Sequence, residues 1–239
     1  MNLVIDFDST IVGAETLEFL FAEAGAGDEV LRSVSAITDA GMNGEISFSE
    51  SLRSRLSLLQ LNEAELLSAA EKLKSHLSVS FVDVLPMLPL SSTYVVSGGF
   101  QQVLETVLVP LGFKPEQLFG NVLVFEQGVL AGLDDANPLA GNNGKIMVAE
   151  SLGLSGTTIA VGDGSTDLEI FTAGAADRFI YYSEFVDRPA ISSRTDLRAA
   201  TFYEVLDIPE NAPLESFVIP FRLASLASEI IHGILWTVR

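Results

Sequence analysis

The chain has 239 residues, of which 48% are hydrophobic, so a sizeable core is expected. Its 32 acidic residues against 13 lysines and arginines give a formal net charge of −19, which excludes nucleic acid as an expected partner because phosphate contacts need a basic patch. The chain has no cysteine, which excludes disulfides and thiolate chemistry.

The first element is an apolar strand predicted over residues 3–7, which ends in the polar sequence DFDST. Asp6 and Asp8 lie on the same side of an extended chain, and two such carboxylates repel each other unless a cation lies between them. A metal-bound Asp6 could attack an electrophile, and Asp8 could donate and accept a proton. The alternative is a solvated loop after a strand.

The next segment, residues 14–77, carries only helical patterns, and glycines separate them. The periodicity predicts four helices, over residues 16–24, 28–40, 48–59 and 62–77. Asn62, with Glu65 three residues on, is typical of a helix start that has a capping box. Four helices inserted after the first strand indicate a small helical cap domain.

The rest of the chain alternates short apolar strands with helical patterns, which is typical of a parallel sheet covered by helices, an α/β fold. Strands are predicted over residues 93–96, 157–161 and 179–182, and a hairpin over 121–133 with Gln127 and Gly128 at its turn. Two strands end in the polar sequences SGGF and GDGSTD. Since ligands bind at the carboxyl ends of parallel strands, these clusters could meet DFDST in one pocket.

These later clusters contain further candidate residues. Ser97 and the amides after it could bind an anion at a helix start. Lys145 could neutralise a phosphoryl oxygen, Asp163 could complete a metal site, and Asp167 could orient Lys145 or a metal-bound water. Taken singly, these residues could equally be a glycine turn, a solvated lysine and a helix-capping turn.

The last segment, from about residue 208, is rich in apolar residues. An apolar stripe at helical spacing predicts a helix. Its members are Leu223, Leu226, Ile230, Ile231 and Ile234. Such a helix packs on its own core or on the partner in a homodimer; a membrane-surface helix is less favoured, because its polar face has few cations. No apolar run is long enough to span a membrane and no signal-peptide pattern occurs, so a cytoplasmic location is expected.

Four motifs in this order, DFDST, SGG, GK and GDGSTD, resemble those of the haloacid dehalogenase (HAD) superfamily of phosphatases. Within it, the chain is similar to the phosphoserine phosphatase family, over about residues 3–207. A glutamate after the first motif and the cap sequence SLRSRLSLL carry this closer resemblance. It implies a Rossmann-like core at residues 1–13 and 78–207, a C1-type helical-bundle cap at 14–77, and a C-terminal helical extension at 208–239.

The resemblance also implies roles for individual residues. Asp6 would be the nucleophile, Asp8 the proton shuttle, and Lys145 a catalytic cation. The phosphate would meet Ser97, Gly98, Gly99, Lys145 and Thr166. Mg²⁺ would be held by Asp6, by the backbone carbonyl of Asp8 and by Asp163, with Asp167 behind them. The rest of the substrate would meet Glu15, Met42, Asn43, Phe48, Arg55 and Arg188, with Glu15 on an ammonium and Arg55 on a carboxylate.

The implied function is Mg²⁺-dependent hydrolysis of a small phosphorylated substrate through a phosphoaspartate, with O-phospho-L-serine favoured, as in the last step of serine biosynthesis. One alternative keeps the chemistry and changes the substrate, because caps in this superfamily set specificity. Another is a catalytically idle HAD-like binding module that works through its C-terminal helix.

Overall fold

A computed structural model describes residues 1–42 and 45–208. Its strands are β1 (Asn2–Ile5), β2 (Thr93–Phe100), β3 (Leu118–Asn121), β4 (Leu123–Glu126), β5 (Val129–Leu133), β6 (Thr158–Gly162), β7 (Arg178–Tyr182) and β8 (Arg198–Ala199). Its α-helices are α1 (Thr16–Glu23), α2 (Asp28–Met42), α3 (Phe48–Leu56), α4 (Glu63–Leu73), α5 (Val79–Val84), α6 (Gln101–Leu108), α7 (Gly144–Ser151), α8 (Ser165–Thr172), α9 (Pro189–Ser192) and α10 (Phe202–Asp207).

Within the described residues, six parallel strands form the main sheet in the order β3-β2-β1-β6-β7-β8. β1 is buried along its length, and its side chains alternate between two cores. Leu3 and Ile5 pack on the side of the inserted helices, whereas Val4 packs on the side of α7 and α8. The α/β prediction is confirmed, and the strand order reverses at β1, where such sheets bind ligands.

The predicted strands are found with small changes at their ends. β2 continues to Phe100 instead of ending at residue 96, with a register shift against β3 between Val96 and Phe100. β3 and β8 were not predicted: one is four residues long and contains glycine, and the other has two residues. The hairpin β4–β5 is confirmed, and positive φ angles at Gln127 (50°) and Gly128 (82°) form its tight turn.

The four helices predicted between β1 and β2 are present as α1–α4. Asn62 and Glu65 form the predicted capping box, in which each side chain accepts a hydrogen bond from the other residue's backbone N–H. The start of α3 contacts the segment between β5 and α7, because Ser49 Oγ donates to the carbonyl of Ala140 at 2.7 Å. α3 therefore lies close to the loop that leads into α7. The division into core and cap domains stays a prediction.

Three predictions concern residues that are not described. Asn43 and the C-terminal extension beyond residue 208, with its apolar stripe, lie outside the described residues, and nothing can be assigned to the side chain of Met42. Among the helices of residues 1–42 and 45–208, none has the length and apolar character needed to cross a membrane.

Candidate active site

The first motif turns sharply where β1 ends. Phe7 is fully buried, and its carbonyl accepts hydrogen bonds from the N–H groups of Thr10, Ile11 and Val12 at 3.3, 2.8 and 3.1 Å. Ser9 is in the left-handed region with φ 54°, a conformation that costs a serine about 1 kcal/mol, and such strained residues cluster at functional sites. With Phe7 directed into the core, the flanking side chains of Asp6 and Asp8 lie on the opposite side, as the alternation predicts.

Lys145 joins the first and last motifs. Its Nζ lies 2.8 Å from Asp6 Oδ1 and 2.7 Å from Asp167 Oδ1, and its side chain is 9% exposed. Burial lowers the pKa of this ammonium, but the negative charges of Asp167 and Asp6 raise it by more. The net shift is upward, so Lys145 stays charged. The first residue of α7, Gly144, has no room for a side chain, because a Cβ there would lie 2.5 Å from the Pro138 carbonyl oxygen.

Asp167 is held in place by both of its carboxylate oxygens. Oδ1 contacts Lys145, and Oδ2 accepts a hydrogen bond from the Gly164 N–H at 3.1 Å, which caps α8. Gly162 allows this approach, because a Cβ there would lie 2.3 Å from Asp167 Cγ. Burial, with the repulsion of Asp6, raises the pKa of Asp167 from 3.8 to about 8 despite Lys145.

Asp163 connects this centre to the start of α1. Arg188 Nε donates to Asp163 Oδ2 at 2.9 Å, and Arg188 Nη2 lies 3.7 Å from Glu15 Oε1. Ser9 Oγ donates to the same glutamate oxygen at 2.8 Å. Burial and the charge of Asp6 raise the pKa of Asp163. The predicted residues Glu15, Asp163 and Arg188 are therefore brought together in one chain of contacts.

The arrangement of the buried carboxylates fits a divalent cation. Asp6, Asp163 and Asp167 each offer an oxygen, and these oxygens lie within 4.8 Å of one another. Mg²⁺ prefers such hard oxygen ligands. Burial first, and the repulsion of Asp6 after it, raise the pKa values of Asp163 and Asp167, and the cations Lys145 and Arg188 offset these effects only in part. A dication would supply the missing positive charge, so the residues fit the metal that the sequence implies.

Asp8 lies beside the glycine loop at the end of β2. Thr16 Oγ1 donates a hydrogen bond to Asp8 Oδ1, and a Cβ on Gly99 would lie 3.3 Å from Asp8 Oδ2. Ser97 Oγ accepts a hydrogen bond from the Gly99 N–H at 2.9 Å. Burial and the charge of Glu15 raise the pKa of Asp8 well above its usual range. This carboxyl group is therefore biased towards its protonated form.

The first residue of α3 reaches over the same loop. A Cβ placed on Gly98 would lie 3.3 Å from Phe48 Cζ, so the aromatic ring packs against the glycine backbone. Thr166, in the first turn of α8, is half-buried, and a Cβ on Gly164 would lie 3.8 Å from its Oγ1. The predicted phosphate-binding residues thus lie at the end of β2 and after β6, the two strands that flank β1, with Lys145 at the start of α7.

Arg55 has a partner that was not predicted. Its Nη1 lies 3.0 Å from Glu18 Oε1, on α1, whereas the predicted pairing was with a substrate carboxylate. Its side chain is 13% exposed.

Four other polar residues at the site were also missed: Ser9, Thr16, Glu18 and Asn121. Asn121 is fully buried, and its Nδ2 donates to the Gly98 carbonyl at 2.9 Å. Asn121 is the last residue of the short strand β3. A polar residue at a strand end was the one sequence signal that could have identified it. Ser9 and Thr16 stand inside or beside the first motif, but nothing in the sequence tells which carboxylate each hydroxyl meets.

Comparisons with known proteins agree with the resemblance found in the sequence motifs. No family model matches the chain. It is 33% identical over 192 residues to phosphoserine phosphatase from Lactococcus lactis, which covers 74% of the chain and 82% of that protein. It is 32% identical over 197 residues to the chloroplastic phosphoserine phosphatase of Arabidopsis thaliana, covering 80% of the chain and 65% of that protein.

Solved structures share the fold. A phosphoserine phosphohydrolase-like protein from Francisella tularensis matches with a TM-score of 0.76 and 26% identity, over 86% of the chain and 98% of that protein. A phospho-aspartyl intermediate analogue of phosphoserine phosphatase matches with a TM-score of 0.70 and 28% identity, over 86% and 96% of the two chains.

Proposed function

Because the chain belongs to the phosphoserine phosphatase family of hydrolases, we propose that it hydrolyses O-phospho-L-serine to L-serine and phosphate in the presence of Mg²⁺. The observation that carries this proposal is the buried contact of Lys145 with both Asp6 and Asp167, at the meeting point of three strand ends. A charged lysine held against two aspartates, beside a glycine loop, is suited to transfer of a phosphoryl group.

Asp6 is the nucleophile of this mechanism. The Phe7 N–H donates to Asp6 Oδ1 at 2.8 Å, and Lys145 contacts the same oxygen, so one carboxylate oxygen is fixed. The other oxygen attacks the phosphorus, the serine oxygen leaves, and an acyl-phosphate forms on Asp6. A solved relative that carries a phospho-aspartyl intermediate analogue supports this step.

Asp8 moves the proton in both halves of the reaction. Its raised pKa keeps the acid form available, so it donates a proton to the departing serine oxygen. The resulting carboxylate then takes a proton from water, and the hydroxide attacks the phosphoaspartate, which releases phosphate and restores Asp6. The hydrogen bond from Thr16 orients Asp8 throughout.

The phosphoryl oxygens are held by Ser97, by the Gly98 and Gly99 amides, by Thr166 and by Lys145. Negative charge on these oxygens needs fixed donors that do not reorganise during the reaction. Asn121 fixes the Gly98 peptide through its carbonyl, and Lys145 is fixed by Asp167.

Mg²⁺ would be held by Asp6, by Asp163 and by the Asp8 backbone carbonyl. Asp167 would stand behind them, although its carboxylate lies in the same cluster as those of Asp6 and Asp163. When bound, the metal would neutralise charge on the phosphoryl group and on the carboxylates around it. The ion pair with Arg188 keeps Asp163 oriented towards this cluster.

The amino-acid part of the substrate is bound by the inserted helices. Glu15 meets the ammonium and Arg55 the carboxylate, since arginine binds a carboxylate bidentately. Arg188, beside Glu15, lies near the same end of the substrate, and Phe48 shields the site from water. Shielding by Met42 and substrate contact by Asn43 stay predictions from the sequence. Closure of the cap would keep bulk water out while the acyl-phosphate forms.

A substrate panel tests the proposal. Phosphate release is measured with phosphorylated amino acids, sugars and nucleotides, with Mg²⁺ and without it. We expect phosphoserine to be the preferred substrate and an Arg55→Ala variant to lose most of that preference. Equal rates across the panel, with Arg55→Ala unaffected, would instead favour another small phosphorylated metabolite as the substrate.

The homodimer through the C-terminal helix and the cytoplasmic location remain predictions from the sequence. An idle binding module is disfavoured, because Asp6, Asp8, Lys145 and Asp163 are all present and Lys145 contacts Asp6 directly.

A further inference from the structure

Glu18 lies on α1, three residues after Glu15, which immediately precedes this helix, and three of the inserted helices meet at Glu18. Its Oε1 lies 3.0 Å from Arg55 Nη1 on α3. The same oxygen accepts a hydrogen bond from Thr38 Oγ1 on α2 at 3.5 Å. A single carboxylate oxygen therefore connects α1, the helix that follows Glu15, with α3, the helix that carries Arg55.

The side of α3 that carries Arg55 faces the phosphate loop. Phe48 and Arg55 are seven residues apart, about two helical turns, so they lie on the same face of α3. Phe48 at the start of that face packs against Gly98. Only 13% of the Arg55 side chain is exposed, compared with 43% for Arg53 on the same helix. A guanidinium removed from water to this extent needs a counter-charge, and Glu18 provides it.

The contacts of Arg55 leave most of its donors available. Among the described residues, Nη1 donates to Glu18 and Nε donates to the Ser51 carbonyl at 3.4 Å. A guanidinium has five N–H groups, so these two bonds fix the plane of the group and leave the others for a ligand. We propose that Glu18 is a positioning residue, which holds Arg55 in the orientation that receives the carboxylate of the substrate. This inference rests on the proposed function.

Glu15 and Glu18 then have separate tasks. Glu15 attracts the ammonium of phosphoserine directly, whereas Glu18 acts through Arg55 on the carboxylate. Without Glu18, Arg55 would lose its fixed counter-charge and could turn towards other carboxylates or towards the phosphate. The affinity for a substrate that carries a carboxylate would fall, while the affinity for an otherwise similar substrate without one would not.

A Glu18→Gln variant of the full chain separates these effects, with Mg²⁺ present. The ligands are O-phospho-L-serine and O-phosphoethanolamine, which has the same phosphate and ammonium but lacks the carboxylate. We expect the KM for phosphoserine to rise about tenfold with kcat within about twofold of wild type, as for loss of one charge-assisted hydrogen bond. The inhibition constant of phosphoethanolamine against phosphoserine hydrolysis should stay within about twofold.

Glu23→Gln is the matched control, because Glu23 lies on the same helix and pairs with Lys72. It should leave the constants for both ligands unchanged. Glu18→Ala provides a second variant, with an expected effect in the same direction. An unchanged KM in both Glu18 variants would overturn the inference, and so would equal weakening of both ligands, which indicates a structural role alone. Absence of phosphoserine turnover by the wild-type protein would instead contradict the proposed function.

Discussion

The substitution Lys145→Met removes the ammonium at the centre of the site while keeping an unbranched side chain. In the wild-type protein, Nζ lies within 2.8 Å of both Asp6 and Asp167, whose side chains are 10% and 3% exposed. Removing one partner from so buried a pair leaves charge without compensation, at a cost of about 3–5 kcal/mol in the free energy of unfolding. Phosphate release should fall about 100- to 1,000-fold, as for loss of one oxyanion donor.

The stability loss should depend on pH in a direction that the structure fixes. The pKa of Asp167 is about 8 in the folded protein and 3.8 ordinarily, so the stability linked to this carboxyl is complete below pH 3.8 and is lost as the pH rises through about 8. Without Lys145, this pKa should rise further, and at pH 6 a protonated Asp167 can share its proton with Asp6. We therefore expect a smaller deficit at pH 6 than at pH 8.5.

Urea unfolding of wild type and variant, with a chelator and at both pH values, measures the deficit. Lys74→Met is the control: Lys74 pairs with Glu71 on the surface, and its side chain is 30% exposed. Its loss should cost about 1 kcal/mol or less at either pH. A Lys145→Met deficit no larger than that of Lys74→Met, or one that is larger at pH 6 than at pH 8.5, would mean that Lys145 does not compensate the buried carboxylates.

Three further predictions concern the phosphate loop, the metal and the C-terminal segment. Asn121→Ala removes the hydrogen bond to the Gly98 carbonyl, so inhibition by inorganic phosphate should weaken about tenfold. The control is Asn137→Ala, which removes the hydrogen bond to the Gly120 carbonyl instead and should leave this inhibition unchanged. A chelator should abolish phosphate release, and Mg²⁺ should raise the melting temperature more at pH 8.5 than at pH 6, because its ligands must be ionised; turnover in the chelator would contradict the proposed metal. Deleting residues 214–239 should convert a dimer to a monomer with kcat unchanged in analytical ultracentrifugation and phosphate-release assays, whereas a full chain that sediments as a monomer would contradict the predicted homodimer.

Local sequence patterns were sufficient to predict the elements that position the catalytic side chains. Asp6 and Asp8 could be assigned to one side because a strand alternates its side chains, and the capping box at Asn62 depends on residues three apart. The short strands β3 and β8 have no such pattern, because four and two residues contain too little periodicity. Because β3 was not predicted, the position of Asn121 beside the phosphate loop was not predicted either.

Contacts between distant segments could not be predicted in the same way. Glu18 and Arg55 are 37 residues apart, and their pairing depends on how α1 packs against α3. Arg188 and Asp163 are 25 residues apart and meet only because β6 and β7 are neighbours in the sheet. The sequence identified Arg55, Arg188 and Asp163 as candidate residues, but it did not identify their partners. Those partners are set by tertiary packing, which no local sequence pattern shows.

The proposed function requires that Asp6 accepts the phosphoryl group of phosphoserine. Acid-quenching the reaction with phosphoserine that carries a radiolabelled phosphoryl group, followed by peptide mapping, tests it directly. We expect label on the peptide that contains Asp6, and neither label nor turnover in Asp6→Asn. Label on another residue, or full turnover by Asp6→Asn, would contradict it.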